Sequence, residues 1–314
     1  MQHTRTRRGV LAALTTLALV APLTACAQED SRSSAHASDA SAASAAKGED
    51  KQPADAAREF RKLERKFDAK LGVYAVDTGS GREISHHGDD RFPYNSTFKA
   101  LAAGAVLKKH SPEEMERVVR YAEKDLVPNS PVTEKHVEDG MTVRALCDAA
   151  VRYSDNTAAN LLFDELGGPE GLDAELEGLG DDVTRMVNRE PDLSDWAPGS
   201  TDDTSTPRAM AKNLRAYVLG DVLGKKDRAQ LTKWLRTNTT GAELIQAGVP
   251  EEWTVGDKSG AGSGYGTRND LAVVWRPDAA PLVVSVMSHR DGKTDEYDNA
   301  LIAEAASVVA DSLG

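Results

Sequence analysis

Phe60, Leu63, Phe67 and Leu71 recur at spacings of three and four, which predicts an amphipathic helix beginning near Pro53. Next, Val73 to Asp77 and Arg82 to His86 flank Thr78-Gly79-Ser80-Gly81, the pattern of strand, tight turn and strand. From about Ser96 to Leu235 the periodicity is helical, clearest over Lys99 to Lys109, Thr142 to Tyr153 and Thr206 to Leu219, and no β-rich run of comparable strength interrupts it. Strand patterns return at Asp270 to Arg276 and Leu282 to His289, around the breaker Pro277-Asp278-Ala279-Ala280-Pro281. Tyr297, Leu301, Ile302, Ala305, Val309 and Leu313 then close the chain at helical spacing. Sheet elements therefore lie at both ends and must meet. The expected fold is α+β: an antiparallel sheet flanked by the N- and C-terminal helices, built from about residues 53–93 and 237–314, and an all-helical lobe over about 94–236. A cleft between two such lobes is a favoured place for a site. No internal repeat is present.

Upstream of this region the pattern changes. Arg5, Arg7 and Arg8 precede an apolar stretch, Val10 to Leu23, that is short for a permanent membrane span, so residues 1–25 read as an export signal. Thr6-Arg7-Arg8-Gly9-Val10-Leu11 resembles a twin-arginine signal, and the general secretory route is equally open. Leu23-Thr24-Ala25-Cys26 resembles a bacterial lipobox, in which the Cys26 thiol takes a diacylglyceryl group and becomes the mature N-terminus; the alternative is a plain signal peptide cut near Ala25. Residues 26–52 read as a tether, since 27–52 hold no Val, Ile, Leu, Phe, Tyr or Trp to offset the entropy of ordering. The expected location is the outer face of the cytoplasmic membrane, or outside the cell, with membrane attachment through the N-terminal lipid alone.

Charge narrows the function classes further. The 314 residues carry 38 Lys+Arg against 50 Asp+Glu, a formal charge of −12, and loss of the signal takes away three arginines and no acid, leaving −15. Such a balance excludes a general affinity for nucleic acid, which needs clustered cations.

Three short motifs carry the chemistry. Ser96-Thr97-Phe98-Lys99 opens the first helix of the middle region and puts Ser96 and Lys99 on one face. A serine at a helix N-terminus has unpaired N–H groups and the helix dipole beside it, and the lysine can take up or hold off its proton. Alone, the pair reads equally as a capped helix with a solvated lysine. Ser154-Asp155-Asn156 follows a helix and can project a hydroxyl and an amide into a cleft, or merely end the helix. Lys258-Ser259-Gly260 precedes Ala261 and a strand pattern, where glycine would let a ligand approach the strand edge closely, or else supplies an edge charge. In this order, separated by 58 and 104 residues, the three support one another.

Together they resemble the class A serine β-lactamases, within the superfamily of penicillin-binding proteins that share Ser-x-x-Lys, Ser-x-Asn and Lys-[Ser/Thr]-Gly. The resemblance extends over about residues 54–314 through Glu190-Pro191-Asp192-Leu193, Asn238-Thr239-Thr240-Gly241, Ala247-Gly248-Val249-Pro250, Asp125-Leu126-Val127, Ser130-Pro131-Val132-Thr133 and Met141-Thr142-Val143. It implies hydrolysis of β-lactam antibiotics, penicillins and cephalosporins, through an acyl-enzyme on Ser96, with Lys99, or Glu190 through a water, as base. Ser154 would protonate the departing nitrogen, the N–H groups of Ser96 and Ala261 would bind the oxyanion, and Glu190 would activate the deacylating water. Asn156 would bond the substrate side chain, while Lys258, Ser259 and Gly260 with Arg268 would hold the substrate carboxylate. Ser194 stands where the family usually has an Asn that helps hold the water, Asn188 where an Arg pairs with the acid here numbered Asp203, and Asn129 where an aromatic is common. The shorter Ser194 is expected to hold the water less directly, and the loop between Asn188 and Asp203 to be looser.

No cofactor and no metal is expected, and the protein is expected to be a monomer. Gly262-Ser263-Gly264-Tyr265-Gly266 leads into a strand rather than a helix, against a nucleotide loop. His86 and His87, being adjacent on a strand, should face opposite ways, and no His/Cys/Asp cluster with zinc spacing accompanies them, against a metal-dependent lactamase. Cys147 is expected to be a buried free thiol, since Ala103 occupies its relatives' usual partner position. Asn95-Ser96-Thr97 matches a glycosylation sequon that a bacterial export signal makes irrelevant. The alternatives are a D-alanyl-D-alanine peptidase, disfavoured by Glu190, and a β-lactam sensor or trap that acylates without turnover.

Overall fold

A computed structural model describes residues 51–314; the export signal, Cys26 with its lipobox, and the tether up to residue 50 lie outside the described residues. The first helix, α1 (Lys51–Phe67), starts two residues before the expected Pro53. Proline is tolerated there because the first-turn N–H groups of a helix have no intrahelical acceptor to lose. It is followed by β1 (Lys70–Asp77) and β2 (Glu83–His86). The middle of the chain holds α2 (Phe98–Lys109), α3 (Val143–Arg152), α4 (Asn156–Leu166), α5 (Pro169–Glu177), α6 (Pro207–Val218) and α7 (Lys225–Arg236). Strands β3 (Thr254–Ala261), β4 (Arg268–Trp275) and β5 (Leu282–His289) and helix α8 (Asn299–Leu313) complete it.

The five strands form one antiparallel sheet in the order β2-β1-β5-β4-β3, so the two ends of the chain do meet. Alternation then divides the core. Val73, Ala75, Ala272, Val274, Val284 and Val286 face α1 and α8, whereas Tyr74, Val76, Leu271, Val273, Val283 and Met287 face the helical side. A sheet covered on both faces reads as nearly continuous apolar runs, which is why β4 and β5 are so visible in sequence. Helix α2 is buried all round from Phe98 to Leu107 and packs against α3, α4, α6 and α7. At Gly104 a Cβ would meet the Tyr217 ring at 2.8 Å, so α6 can approach this closely only because a glycine stands there.

Several boundaries differ from expectation for physical reasons. Thr142 and Thr206 are caps rather than helical residues, their hydroxyls accepting from the N–H groups of Ala145 and Ala209. Asp298 caps α8 in the same way, so Tyr297 lies outside that helix, 45% exposed beneath the Arg268 guanidinium. The Lys258-Ser259-Gly260 segment sits within β3 itself, whose polar centre hides its strand character. Two-residue ladders, Phe92–Pro93 with Thr204–Ser205 and Val118–Val119 with Met141–Thr142, interrupt the helical middle. The largest correction concerns His86 and His87. Strand β2 ends at His86, and His87 has a φ of 48°, which turns it out of the pleat and leaves the two ring centroids 4.4 Å apart rather than on opposite faces.

Cys147 is fully buried in α3 and free, and burial pushes its thiol well above the ordinary value. We expect a thiol-reactive probe to leave Cys147 unlabelled in the native protein and to modify it once denaturant is added; labelling of the native protein at the rate of a small-molecule thiol would contradict this packing.

Candidate active site

The turn that carries Ser96 is built from its neighbours. Asn95, at a φ of 46°, starts a 3-10 turn (Asn95–Thr97) that runs directly into α2, and the Thr97 hydroxyl donates to the Tyr94 carbonyl at 2.6 Å. Tyr94 is fully buried, with its hydroxyl donating to Asp203 Oδ1 at 2.9 Å and its N–H to the Asp203 carbonyl at 3.3 Å. Strand β3 beds against this turn at Gly260, where a Cβ would lie 3.1 Å from both Thr97 Cγ2 and the Tyr94 carbonyl. The glycine thus serves close packing of strand on turn. That packing brings the following residue, Ala261, to the same end of the edge strand, paired with Arg268 on β4.

Lys99, one turn into the helix region, is completely buried. Its Nζ lies 2.9 Å from Ser96 Oγ, 2.9 Å from Glu190 Oε1, 2.9 Å from the Ser154 carbonyl and 2.5 Å from Asn156 Oδ1. Four acceptors surround a group with three protons, so the ammonium is fully satisfied without water. Ser96 Oγ in turn donates to Glu190 Oε1 at 3.3 Å. Burial lowers the Lys99 pKa, and the adjoining Glu190 carboxylate opposes that shift.

Asn156 accepts from Lys99 and donates to the Pro128 carbonyl at 2.9 Å, which leaves one N–H and one lone pair for a ligand. Ser154, at a φ of 57°, offers its hydroxyl to the second buried lysine: Lys258 Nζ donates to Ser154 Oγ at 3.2 Å and to the Ser259 carbonyl at 2.8 Å. The Ser259 hydroxyl is 2.6 Å from Thr240 Oγ1. Burial and the positive charge of Lys99 pull the Lys258 pKa down to about 7, against Asp257 and Asp270. Burial raises both of these acids, and for Asp270 the charge of Asp257 adds to it. Arg268 Nε donates to Asn299 Oδ1 at 2.8 Å and Nη1 to the Gly260 carbonyl at 3.4 Å, which holds the guanidinium beside β3. All three motifs and Glu190 are therefore joined in one hydrogen-bonded cluster, with Arg268 at its strand edge.

These distances bring a serine hydroxyl, two buried lysine amino groups and a carboxylate together. The family model for the beta-lactamase enzyme family matches residues 55–313. The chain belongs to the class A β-lactamases. It is 54% identical over 257 residues to a beta-lactamase of Amycolatopsis lactamdurans, covering 82% of this chain and 85% of that one. Beta-lactamase 1 of Streptomyces cacaoi is 51% identical, over 98% of both chains. Among solved structures, a class A beta-lactamase from Clostridium kluyveri DSM 555 superposes with a TM-score of 0.81 at 46% identity, covering 82% of this chain and 98% of that one. This β-lactamase hydrolyses the β-lactam ring of antibiotics and so confers resistance to them.

Several supporting residues of this β-lactamase escaped the sequence reading. Asn160 clasps Glu190, its Nδ2 donating to the Glu190 carbonyl at 2.8 Å and its Oδ1 accepting the Glu190 N–H at 2.9 Å. The available signal was its place one turn after Asn156 in α4. Asp155 caps α4 through Ala158 and also accepts from Thr133 and the N–H of Val132, tying the Ser154 turn to the neighbouring loop. The expectation of a looser loop at Asn188 is not met. Asp203 accepts from the N–H groups of Val187 and Asn188 at 3.0 Å each, from Asn188 Nδ2 at 2.6 Å and from Tyr94, so the neutral Asn188 leaves no acceptor unsatisfied. Ser194 places its hydroxyl 3.4 Å from Glu190 Oε2, and its carbonyl accepts from the N–H and the hydroxyl of Ser263. Asn129, exposed at the rim, has a φ of 62° and accepts the Asn156 N–H through its carbonyl.

The Lys258 pKa has a kinetic consequence. Below about pH 7 the ammonium would be charged and would attract an anionic substrate; above it that charge would be lost. For carboxylate-bearing substrates kcat/KM is expected to fall on the alkaline side with an apparent pKa near 7, and Lys258→Arg, whose cation does not titrate, to move that limb upward. An alkaline limb that Lys258→Arg leaves in place would refute this assignment.

Proposed function

We propose that catalysis runs through Ser96 with Glu190 as the base of both half-reactions. The observation that carries this reading is the position of Glu190 Oε1, which accepts from Ser96 Oγ at 3.3 Å while paired with Lys99 at 2.9 Å. Lys99 donates to every oxygen it touches, so it holds Ser96 Oγ and leaves Glu190 to receive the proton, directly or through a water. Ser96 Oγ attacks the lactam carbonyl, and the N–H groups of Ser96 and Ala261 receive the developing oxyanion. As the C–N bond breaks, the nitrogen takes the Ser154 proton, Lys258 supports the Ser154 oxygen from 3.2 Å, and the proton that Glu190 received passes through water to Ser154, so that Glu190 is a carboxylate again before deacylation. Water deprotonated by Glu190 then cleaves the acyl-enzyme, with Ser194 at the other carboxylate oxygen. Lys258, Ser259 and Arg268 hold the substrate carboxylate beside Gly260, and Asn156 its side-chain amide. Penicillins and cephalosporins carry both groups.

Glu190→Gln is expected to lower turnover by at least about 100-fold, as loss of a general base does, with formation and breakdown of the acyl-enzyme both slowed. Intact-protein mass spectra taken during turnover check this. An adduct that forms at the parent rate and then persists would confine Glu190 to deacylation and place the acylating base elsewhere.

The enzyme acts, on this reading, as an exported monomer tethered by lipid at Cys26 to the outer face of the cytoplasmic membrane, or released from it. Arg5, Arg7, Arg8 and the Leu23-Thr24-Ala25-Cys26 segment support that reading. Cys26→Ser should move activity from the membrane fraction to the medium, and activity that stays with membranes in this variant would overturn lipid attachment.

A further inference from the structure

Across the sheet from the catalytic strand β3 lies the other edge, β2, about 19 Å away at ordinary strand spacing. There His86 and His87 converge with Glu64 of α1. We propose that these three side chains form a binding site for a divalent metal ion of the Zn2+ class, separate from the catalytic residues. One ligand atom from each lies within 4.8 Å of the others. His86 Nε2 is 3.1 Å from Glu64 Oε2, and His87 Nε2 is 3.7 Å from Glu64 Oε1. Donors spaced like this suit a tetrahedral ion, whose bonds of about 2.0–2.1 Å to histidine and carboxylate hold neighbouring donors about 3.3 Å apart.

Two further observations point to a ligand. The His86 side chain is only 7% exposed, and its Nε2 makes no hydrogen bond although a carboxylate oxygen is 3.1 Å away, so a buried nitrogen is aimed at the centre of the group without a directional partner. His87 Nδ1 is 3.0 Å from Asp90 Oδ2, which leaves Nε2 as the metal-facing nitrogen; a carboxylate behind a ligating imidazole commonly fixes its tautomer and orientation. Asp90 is itself held by Lys70 Nζ at 2.9 Å, and Glu64 Oε1 accepts the Leu71 N–H at 3.2 Å, so both carboxylates are anchored before any ion arrives. Two imidazoles and one carboxylate select a borderline ion such as Zn2+ over Mg2+ or Ca2+, which prefer all-oxygen sets. Water would complete the shell on the exposed side of His87. The ion would fasten α1 to the end of β2, and binding to the folded form alone would raise the melting temperature.

The test is a titration of the chelator-treated enzyme with Zn2+ alone, read by competition with a chromophoric indicator and by thermal unfolding. One Zn2+ per chain and a higher Tm are expected. His87→Asn suits the positive φ, since Asn tolerates that region, and is expected to weaken binding at least about tenfold. Asp90→Asn is expected to weaken it by a similar factor while leaving all three ligands in place. Turnover of a chromogenic cephalosporin should be the same with and without stoichiometric Zn2+. Absence of stoichiometric binding, or equal affinity in the parent enzyme and His87→Asn, would overturn the site.

Discussion

Lys99 is a full charge with no exposed surface, and the arrangement of the active site follows from having to keep it there. An unpaired buried ammonium would lose its proton or unfold its surroundings, and this one is compensated by one carboxylate and three neutral oxygens drawn from three separate segments. Those segments are the Ser96 turn, the stretch from Ser154 to Asn156 and the Glu190 loop. Satisfying the lysine thus assembles the catalytic residues as a by-product of folding. The second buried lysine, Lys258, donates to the Ser154 hydroxyl and the Ser259 carbonyl rather than to a carboxylate, and burial with the charge of Lys99 pulls its pKa down to about 7. One cation is held for structure and proton placement, the other is poised to gain a partner when an anion arrives.

What sequence made legible was the part governed by periodicity and by residue identity. Apolar runs in β4 and β5 declared themselves because both faces of the sheet are covered, and the three motifs named Ser96, Lys99, Ser154, Asn156, Lys258 and Ser259 without help from the fold. The strand character of β3 was obscured by Asp257-Lys258-Ser259, whose burial is balanced by partners distant in sequence. Asn160 was silent for the same reason: a single amide carries no pattern, and its meaning comes from a backbone brought to it by folding. The histidine pair misled because period-two reasoning holds only while the strand lasts, and β2 stops at His86.

The departures from family usual residues also take their meaning from context. Asn188 reads in sequence as a lost ion pair, yet two backbone N–H groups, the Asn188 amide and a tyrosine hydroxyl all converge on Asp203, so charge pairing is replaced by neutral donors in number. Ser194 is a different kind of change. It keeps a hydroxyl beside Glu190 Oε2 but shortens the reach, and its carbonyl is spent on Ser263, which links the loop to the segment after β3.

Tyr94 gives the site a property that neither half has alone. Its ring stacks edge-on against Phe98 at the start of α2, its carbonyl accepts from Thr97 beside the nucleophile, and its hydroxyl ends on the acid that anchors the Glu190 loop. The Ser96 turn and the Glu190 loop are therefore both referenced to one side chain. A shift of the loop at Asp203 is thereby carried through the phenol ring to the turn at Ser96.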